Sequence, residues 1–405
     1  MKKKLVVVGN GMVTGRFLDE LQKFQEMPYE LTVISAEPYG SYNRIMLSSV
    51  LSGDATIDSI VQKTPQWYSD HRIKLHQGDA VLHIDGAKKQ VTTESKRVIA
   101  YDHLVLATGS RSSTIPADNK NIKNVFPFRS IADTTQMLEA AKTATKAVVV
   151  GGGFLGLEAA WGLAKNGVDV SVIHRSGHLL NRQLDPIAAQ MLQQQLEESG
   201  IKFVLNDEIE RFDGDSYLQG ISLKSGTHIQ CDMAIIATGI TPNAELGWSA
   251  GLTGDRAIAV DALMQTNDPH ISAIGECIEY DGQTFGLVDP LWRHAKVLAT
   301  RLCGDNQKPY PTFENSPTAC KLKISGIQLY SAGEIVAQGH AREVIIKDCG
   351  ANIYRKLIIE NDKLVGIVLF GDVRSGAWYF KLMKEAVNIS EFMPDLIFGE
   401  EYFAA

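Results

Sequence analysis

The stretch VVVGGGFLGLEAA, Val148–Ala160, decides the fold of this chain. A hydrophobic run ends at Val150, and glycines at Gly151, Gly153 and Gly156 follow it before a segment of helical composition. This order predicts a strand, a tight turn and a helix, the arrangement that holds a dinucleotide pyrophosphate at a helix N-terminus. Gly151 allows the turn, Gly153 allows the backbone to approach a phosphate, and Gly156 allows the helix to pack closely on the strand.

A second copy of this pattern lies at the start of the chain. Leu5–Val8 is followed by Gly9-Asn10-Gly11 and by a predicted helix, Met12–Leu21. Each copy has a later echo, LVLATGS at Leu104–Ser110 and AIIATGI at Ala234–Ile240. An internal repeat is strong evidence about architecture. Two such units predict two dinucleotides, a tightly held flavin dinucleotide and an exchangeable nicotinamide dinucleotide.

The first copy departs from the pattern at its third glycine. Thr14 occupies that position, and a glycine follows one residue later, at Gly15. Because the third glycine serves helix packing, we expect slightly looser contact between helix and strand in the first unit.

Several polar residues are candidates for the flavin site. Glu37 follows the second predicted strand at the distance of a carboxylate that accepts ribose hydroxyls, the alternative being a solvated loop acid. Arg44 could reach the flavin ring and favour its reduced, anionic form. The turn Ala107-Thr108-Gly109 could bring backbone close to the cofactor. Glu276, directly after Gly275 at a strand end, could accept a hydrogen bond from a polyol.

The second unit carries different polar residues. Glu158, in the second turn of its helix, could orient the nicotinamide carboxamide and pair with Arg44, the alternative being an exposed helix glutamate. The strand Val168–Ile173 ends in His174 and Arg175 instead of the usual acid. An acid would hold the 2′-hydroxyl of NAD, whereas a cation suits the 2′-phosphate of NADP. This favours NADPH or dual use, unless Arg175 merely points into solvent.

The overall composition excludes several classes of protein. The chain has 405 residues and a net charge of −7, which gives no sign of nucleic acid binding. No apolar run approaches the roughly 20 residues that span a bilayer, so we expect a cytoplasmic protein without membrane contact. Five cysteines lie far apart without a C-x-x-C pair, and the histidines show no ligand spacing, so we expect no metal or iron–sulfur centre.

Nine further motifs carry a resemblance to a known family. They are VVGNGMV, YNRIMLS, YDHLVLATGS, GGGFLGLEAA, RQLD (Arg182–Asp185), ATGITPN, AIGEC, FGLVDP and YRKLIIE…LFGD. With them the chain resembles the FAD-dependent pyridine nucleotide oxidoreductases of the rubredoxin and ferredoxin reductase type. Within these it is most similar to the flavin module of NAD(P)H nitrite reductase large subunits and nitrate reductase electron-transfer subunits. The resemblance covers nearly all of the chain.

The resemblance implies an α/β fold with two Rossmann-like, glutathione-reductase-type domains and a small C-terminal α+β domain. The expected divisions are 1–112 with 241–312 for FAD, 113–240 for NAD(P)H and 313–405 for the C-terminal domain. Together with the patterns above, it implies two sets of site residues: Gly9, Asn10, Gly11, Met12, Val13, Glu37, Arg44, Val81, Ala107, Thr108, Gly109, Gly275, Glu276, Val288 and Lys323 for FAD, and Gly151, Gly153, Phe154, Leu155, Gly156, Glu158, His174, Arg175 and Gly239 for NAD(P)H.

The resemblance also implies an activity, hydride transfer from NAD(P)H to FAD followed by electron transfer to a small redox protein or a reductase subunit. Arg44 and Glu158 are expected to position and tune the rings and not to act as nucleophile or proton donor. The cysteines of disulfide and peroxide reductases are missing near residues 42–49, and no sirohaem module follows, so we do not expect nitrite reduction by this chain alone. Two alternatives stay open: an NAD(P)H oxidase or quinone reductase without a protein partner, and a redox-responsive flavoprotein of the apoptosis-inducing-factor type. A homodimer is possible on either reading.

Overall fold

The computed structural model describes residues 2–304, 309–322, 324 and 326–403. The chain divides into two compact units. Unit 1 comprises Met1–Leu47, Ala55–Arg111 and Ile240–Asn315, and unit 2 comprises Ser48–Asp54, Ser112–Gly239 and Ser316–Ala405. The three-domain division expected from the sequence stays a prediction.

Unit 1 is built on a parallel five-stranded sheet. In spatial order its strands are Ile271–Ala273, His103–Leu106, Lys3–Val8, Tyr29–Ile34 and Lys74–His76. Leu5–Val8 of the central strand are buried, as expected for a parallel sheet covered on both faces, whereas its first two residues are exposed. Helices Met12–Leu21 and Val288–Cys303 pack against each other in this unit.

The remaining elements of unit 1 are short. One antiparallel sheet contains Val81–Asp85, Gln90–Thr93 and Val98–Ala100, and another small sheet contains Ile258–Ala259, Ile278–Tyr280 and Gln283–Thr284. The short helices and connecting strands are Arg44–Met46, Leu47–Leu51 (which continues into unit 2), Ile57–Ile60, Pro65–Asp70, Ser110–Ser112, Ile240–Pro242 and Glu245–Ser249.

Unit 2 repeats the parallel sheet. Its strands, in spatial order, are Lys202–Leu205, Asp169–His174, Lys146–Val150, Met233–Ile236 and Val125–Pro127. The accompanying helices are Ile131–Ala141, Phe154–Lys165 and Pro186–Glu198, and an antiparallel sheet contains Ile209–Asp213, Gly220–Leu223 and His228–Gln230.

The C-terminal part of unit 2 is an antiparallel five-stranded sheet with a helix. The strands, in spatial order, are Cys320–Lys321, Leu329–Gly333, Lys363–Phe370, Ile353–Glu360 and Arg342–Asp348. Helix Gly376–Lys384 packs on this sheet, and the short elements Ser390–Phe392, Leu396–Phe398 and Glu400–Phe403 follow. Two parallel Rossmann-like sheets with an antiparallel C-terminal sheet confirm the predicted fold class.

Candidate functional site

The first glycine turn lies at the carboxyl ends of the central strands of unit 1. Gly9 has φ +104°, and a Cβ there would lie 2.1 Å from the carbonyl oxygen of Ala107. The Gly9 N–H donates to the Ile34 oxygen at 2.8 Å, and the Ala107 N–H donates to the Val8 oxygen at 2.8 Å. Only glycine fits this position, because both its φ and its contact exclude a side chain.

The second turn repeats this geometry in unit 2. Gly151 has φ +120°, and a Cβ there would lie 2.3 Å from the Ala237 oxygen. Its N–H donates to the Ile173 oxygen at 2.8 Å, and the Ala237 N–H donates to the Val150 oxygen at 2.8 Å. The echoes LVLATGS and AIIATGI therefore supply the alanine carbonyls on which the two turning glycines pack.

The next glycine of each turn faces space that the protein leaves open. A Cβ on Gly11 or on Gly153 would meet no atom within 4 Å. Each of these glycines caps a helix without a side-chain hydrogen bond. The backbone N–H groups of a helix's first turn have no partner within the helix and attract anions. In each unit, the open space beside the capping glycine and the N–H groups of the first helical turn form a cradle that fits a diphosphate. The diphosphate would meet Met12 and Val13 in unit 1, and Phe154 and Leu155 in unit 2.

Glu37 is held by two residues of the following loop. The Tyr42 hydroxyl donates to Glu37 Oε2 at 2.8 Å, and Arg44 forms an ion pair with Glu37 Oε1. Burial alone would lower the pKa of Arg44, but Tyr42, Glu37 and Glu276 outweigh it and raise that pKa. Glu37 is therefore an oriented acceptor and not a freely solvated loop acid. The approach of Arg44 to a flavin ring stays a prediction.

The carboxylate of Glu276 lies beside the first echo. The Ser110 hydroxyl donates to Glu276 Oε2 at 2.9 Å. Gly275, with φ +96°, approaches the first helix so closely that a Cβ would lie 2.9 Å from Val13 Cγ1. Thr108 is fixed by Asn243, which accepts from its hydroxyl at 2.6 Å and donates to its carbonyl at 3.0 Å. These contacts bring the predicted residues 107–109 and 275–276 together in unit 1.

Two other predicted flavin contacts lie at the starts of elements. Val81 begins a strand and is partly buried, and Val288 begins the helix that ends at Cys303 and is also partly buried. Lys323 lies outside the described residues. The approach of these residues to a flavin stays a prediction.

Glu158 is buried, with 8% of its surface exposed. The hydroxyl of Ser48, which is also buried, donates to Glu158 Oε2 at 2.6 Å. The segment around Ser48 is fixed to the same helix, since Asn166 donates to the Leu51 oxygen at 2.9 Å. This burial is inconsistent with the alternative of an exposed helix glutamate. The pairing of Glu158 with Arg44 stays a prediction.

His174 is the last residue of its strand and contacts the second glycine turn. The Gly152 N–H donates to His174 Nδ1 at 3.1 Å, and a Cβ on Gly152 would lie 2.9 Å from His174 Cγ. Burial, followed by the neighbouring Arg175, lowers the pKa of His174 and favours the neutral ring. Because Nδ1 accepts from the Gly152 N–H, the neutral ring carries its proton on Nε2. Among the described residues, this buried Nε2 has no hydrogen-bond partner. Arg175 is exposed, and Gly239 has φ +124°.

Four contacts could not be found by scanning the sequence for motifs. In each of them a hydroxyl donates: Tyr42 to Glu37, Ser48 to Glu158, Thr14 to the Gly9 carbonyl and Tyr354 to Asp185. The motifs YNRIMLS and RQLD contain three of these residues, Tyr42, Ser48 and Asp185, but a motif alone does not indicate the partner across the fold.

The described residues also show how the remaining His, Cys and acidic side chains are arranged. There, no group of three or more His, Cys, Asp or Glu side chains is arranged to hold a metal ion. The five cysteines are unpaired, and burial raises the pKa of the Cys231 and Cys303 thiols to about 12. None of the helices in the described ranges combines the length and apolarity needed to cross a bilayer.

Comparison with known proteins agrees with this geometry. Residues 3–297 match the family model of the pyridine nucleotide-disulphide oxidoreductases, and residues 319–387 match the rubredoxin NAD+ reductase C-terminal domain. The chain is 42% identical over 390 residues to the nitrite reductase [NAD(P)H] of Bacillus subtilis, covering 96% of this chain and 48% of that protein. It is 40% identical over 373 residues to the assimilatory nitrate reductase electron transfer subunit of the same organism, covering 92% and 48%. The chain thus spans about half the length of these relatives.

A solved structure extends the likeness to the fold. The ferredoxin reductase of Rhodopseudomonas palustris matches with a TM-score of 0.88 and 24% identity, over 100% of both chains. The family model covers both parallel sheets and both glycine turns. The chain belongs to the pyridine nucleotide-disulphide oxidoreductase family, a family that implies FAD and NAD(P)H, and it carries the C-terminal domain of the rubredoxin NAD+ reductases.

Proposed function

We propose that this chain is an FAD flavoprotein that oxidises NAD(P)H and passes the electrons to a redox partner protein. The observation that carries the proposal is the repeated cradle. Two glycine turns have the same backbone geometry, and each leaves open the space beside its capping glycine, Gly11 or Gly153. One cradle suits a resident dinucleotide and the other an exchangeable one.

FAD would be held in unit 1. The backbone of Gly9–Val13 would bind its diphosphate, Glu37 its ribose and Glu276 its ribitol, with Ala107, Thr108, Gly109 and Gly275 lining the approach. Val81, Arg44, Val288 and Lys323 are proposed neighbours of the ring system. When bound, FAD supplies the conversion between two-electron and one-electron transfer. Because Tyr42 and Arg44 already orient Glu37, little reorganisation is needed to bind a ribose.

The nicotinamide nucleotide would be held in unit 2. The backbone of Gly151–Gly156 would bind the diphosphate, with Gly239 at the second echo. No carboxylate ends the strand Asp169–His174; instead Nε2–H of neutral His174 and the guanidinium of Arg175 offer donors. Donors suit a 2′-phosphate and also a 2′-hydroxyl, so we propose use of both NADPH and NADH.

Glu158 is proposed as the residue that orients the nicotinamide. Its carboxylate is fixed by the Ser48 hydroxyl, and a carboxylate can accept hydrogen bonds from more than one donor, an amide N–H included. A buried, oriented acceptor loses less entropy on binding than a mobile one. Arg44 and Glu158 would thus set the geometry of the two rings without exchanging protons with them.

The partner is proposed to be a rubredoxin- or ferredoxin-like protein, or a nitrite or nitrate reductase component. The name of the Bacillus subtilis relative, an electron transfer subunit of assimilatory nitrate reductase, supports the second choice. In the described part of the chain the cysteines lie apart, so an internal disulfide does not compete as acceptor.

One purification tests this function. The isolated chain should be yellow, release FAD on denaturation, and be reduced anaerobically by both NADPH and NADH. Rubredoxin or ferredoxin should then be reduced faster than oxygen or a quinone. A colourless protein that takes up no FAD would refute the proposal. Rapid oxidation of NAD(P)H in air would favour an oxidase, and slow turnover with a changed oligomeric state would favour a redox-responsive flavoprotein.

A further inference from the structure

Unit 2 contains a buried network of charged groups that the proposed chemistry does not use. Tyr354 is fully buried, and 3% of Asp185 and 4% of Lys356 are exposed. The Tyr354 hydroxyl donates to Asp185 Oδ2 at 2.7 Å, and Lys356 Nζ lies 3.5 Å from the same oxygen. Lys356 Nζ also lies 2.7 Å from Glu343 Oε1. The network therefore joins the antiparallel C-terminal sheet to the RQLD motif.

Asp185 also begins a helix. Its Oδ1 accepts from the N–H groups of Ile187 at 2.9 Å and Ala188 at 3.0 Å, and so caps helix Pro186–Glu198. Both carboxylate oxygens are thus occupied, one by the helix and the other by the C-terminal sheet. Burial and the hydrogen bond to Asp185 raise the pKa of Tyr354, so its hydroxyl remains a donor.

Asp185 terminates the loop 175–184, which follows strand Asp169–His174. At the other end of this loop, the Gly152 N–H of the glycine turn donates to His174 Nδ1. The middle of the loop is fixed to the same turn, because the Leu180 N–H donates to the Gly152 oxygen at 2.9 Å. Between the two ends, the side chains of Arg175 and Arg182 are exposed. The loop thus presents two cations from a backbone that is anchored at both ends.

We propose that Tyr354 and Lys356 are positioning residues for the nicotinamide nucleotide, acting through Asp185 on the loop that presents Arg175 and Arg182. This inference rests on the proposed function, because it assigns the adenosine end of NAD(P)H to that loop. A guanidinium pairs well with phosphate only when its direction is correct. Holding the loop in advance lowers the entropy lost when the nucleotide binds. The C-terminal sheet, which carries no glycine turn, would then contribute to nucleotide affinity.

Stability alone gives a weaker explanation of the network. A buried ion pair is often no more stable than apolar residues of similar volume, because desolvation offsets the attraction. Its direct consequence here is geometric, since a single carboxylate fixes a helix start and a loop end at the same point.

Tyr354→Phe tests the inference, with Tyr379→Phe as its matched control. Tyr379 is also fully buried in the C-terminal part, and its hydroxyl donates to the Leu396 oxygen at 2.6 Å, away from the loop. Each variant therefore loses a buried hydroxyl and the hydrogen bond that this hydroxyl donates. The measurements are the Kd of NADP+ and NAD+ for the full FAD-containing chain by calorimetry, and the KM and kcat for NADPH with ferricyanide as acceptor.

We expect Tyr354→Phe to raise the Kd and KM about five- to tenfold with kcat unchanged, while Tyr379→Phe leaves all three constants unchanged. In a chain that already carries Arg175→Ala, Tyr354→Phe should raise the Kd and KM by a smaller factor than it does in wild type, because the two changes act on the same contact. Lys356→Met should behave as Tyr354→Phe does and replaces it if that variant does not fold.

Equal nucleotide affinity in Tyr354→Phe and wild type would overturn the inference, as would equal weakening in Tyr379→Phe. A wild-type chain that binds neither NADP+ nor NAD+ would instead refute the proposed function. The two failures are therefore distinguishable.

Discussion

The two glycine turns share a backbone but differ at the third glycine position. In unit 2, a Cβ on Gly156 would lie 1.9 Å from the Gly151 oxygen, so no side chain fits. In unit 1 the equivalent residue is Thr14, which is fully buried and donates its hydroxyl to the Gly9 oxygen at 2.8 Å. Close packing therefore requires glycine at the third position in unit 2. In unit 1 the helix leaves room for a side chain, and the Thr14 hydroxyl binds the turn instead.

A further difference concerns Gly15 in unit 1. A Cβ there would lie 2.6 Å from Ser41 Oγ, so this glycine serves contact with the loop and does not replace the missing third glycine. The same loop leads to Tyr42 and Arg44, which hold Glu37. In unit 1, the helix glycine that leaves no room for a side chain is Gly15, which faces the loop. In unit 2 it is Gly156, which faces the glycine turn.

The largest expected effect on stability comes from placing the residue type of one turn in the other, at Gly156 and at Thr14. Gly156→Thr is expected to lower the free energy of unfolding by about 5 kcal/mol or to prevent folding of unit 2, because the new Cβ collides with backbone. Thr14→Gly should cost only about 1–2 kcal/mol, from one hydrogen bond and the flexibility of glycine in a helix. Urea unfolding followed by circular dichroism measures both.

Thr14→Ser is the control, because it keeps the hydroxyl and should lie close to wild type. If Gly156→Thr were no more destabilising than Thr14→Gly, the two turns would not differ in packing as described.

The next largest expected effect is a loss of stability in acid, to which two buried histidines of unit 1 contribute. Burial, with lesser contributions from Arg293 and Arg301, lowers the pKa of His294 and of His103 in unit 1 to about 3. The unfolded chain binds these protons near pH 6.5, whereas the folded chain does not until about pH 3. The free energy of unfolding should therefore fall as the pH drops from 6.5 towards 3, by at most about 2.7 kcal/mol per pH unit for two groups.

Urea unfolding of the chain at pH 7, 6 and 5 measures this slope. His294→Leu should reduce the slope by about half, because its ring, packed between Phe285 and Phe313, no longer takes up a proton on unfolding. An unchanged slope in this variant would show that other groups account for acid sensitivity.

The smallest expected effects concern Glu158 and the Ser48 hydroxyl that binds it, and they are measured as the rate of reduction by NAD(P)H. Glu158→Ala should slow reduction by NAD(P)H about ten- to a hundredfold in stopped flow, because the oriented acceptor is lost, while reduction by dithionite is unchanged. Ser48→Ala should slow the same step only about threefold, since it loosens the carboxylate without removing it. Unchanged kinetics in Glu158→Ala would discard its proposed role.

Much of the fold could be predicted from local sequence. Helix Met12–Leu21 has its predicted bounds, and the parallel strands around both turns lie within two residues of prediction. The helix that ends at Cys303 begins at Val288, because Pro290 is tolerated within a helix's first turn. The candidate site was harder to predict from the sequence. Residue type indicated which side chains carry charge, but not which donors form hydrogen bonds or ion pairs with them.

The sequence by itself determined the two glycine turns. Hydrophobic strand, glycine spacing and helix are consecutive, and the left-handed φ of Gly9 and Gly151 depends on residues only a few positions away. Only the tertiary structure decided the partners of the buried carboxylates. Ser48 lies 110 residues from Glu158, and Asp185 lies 169 residues from Tyr354. Such pairs form only when the folded sheets bring distant segments together, and no local pattern records which donor will meet which acceptor.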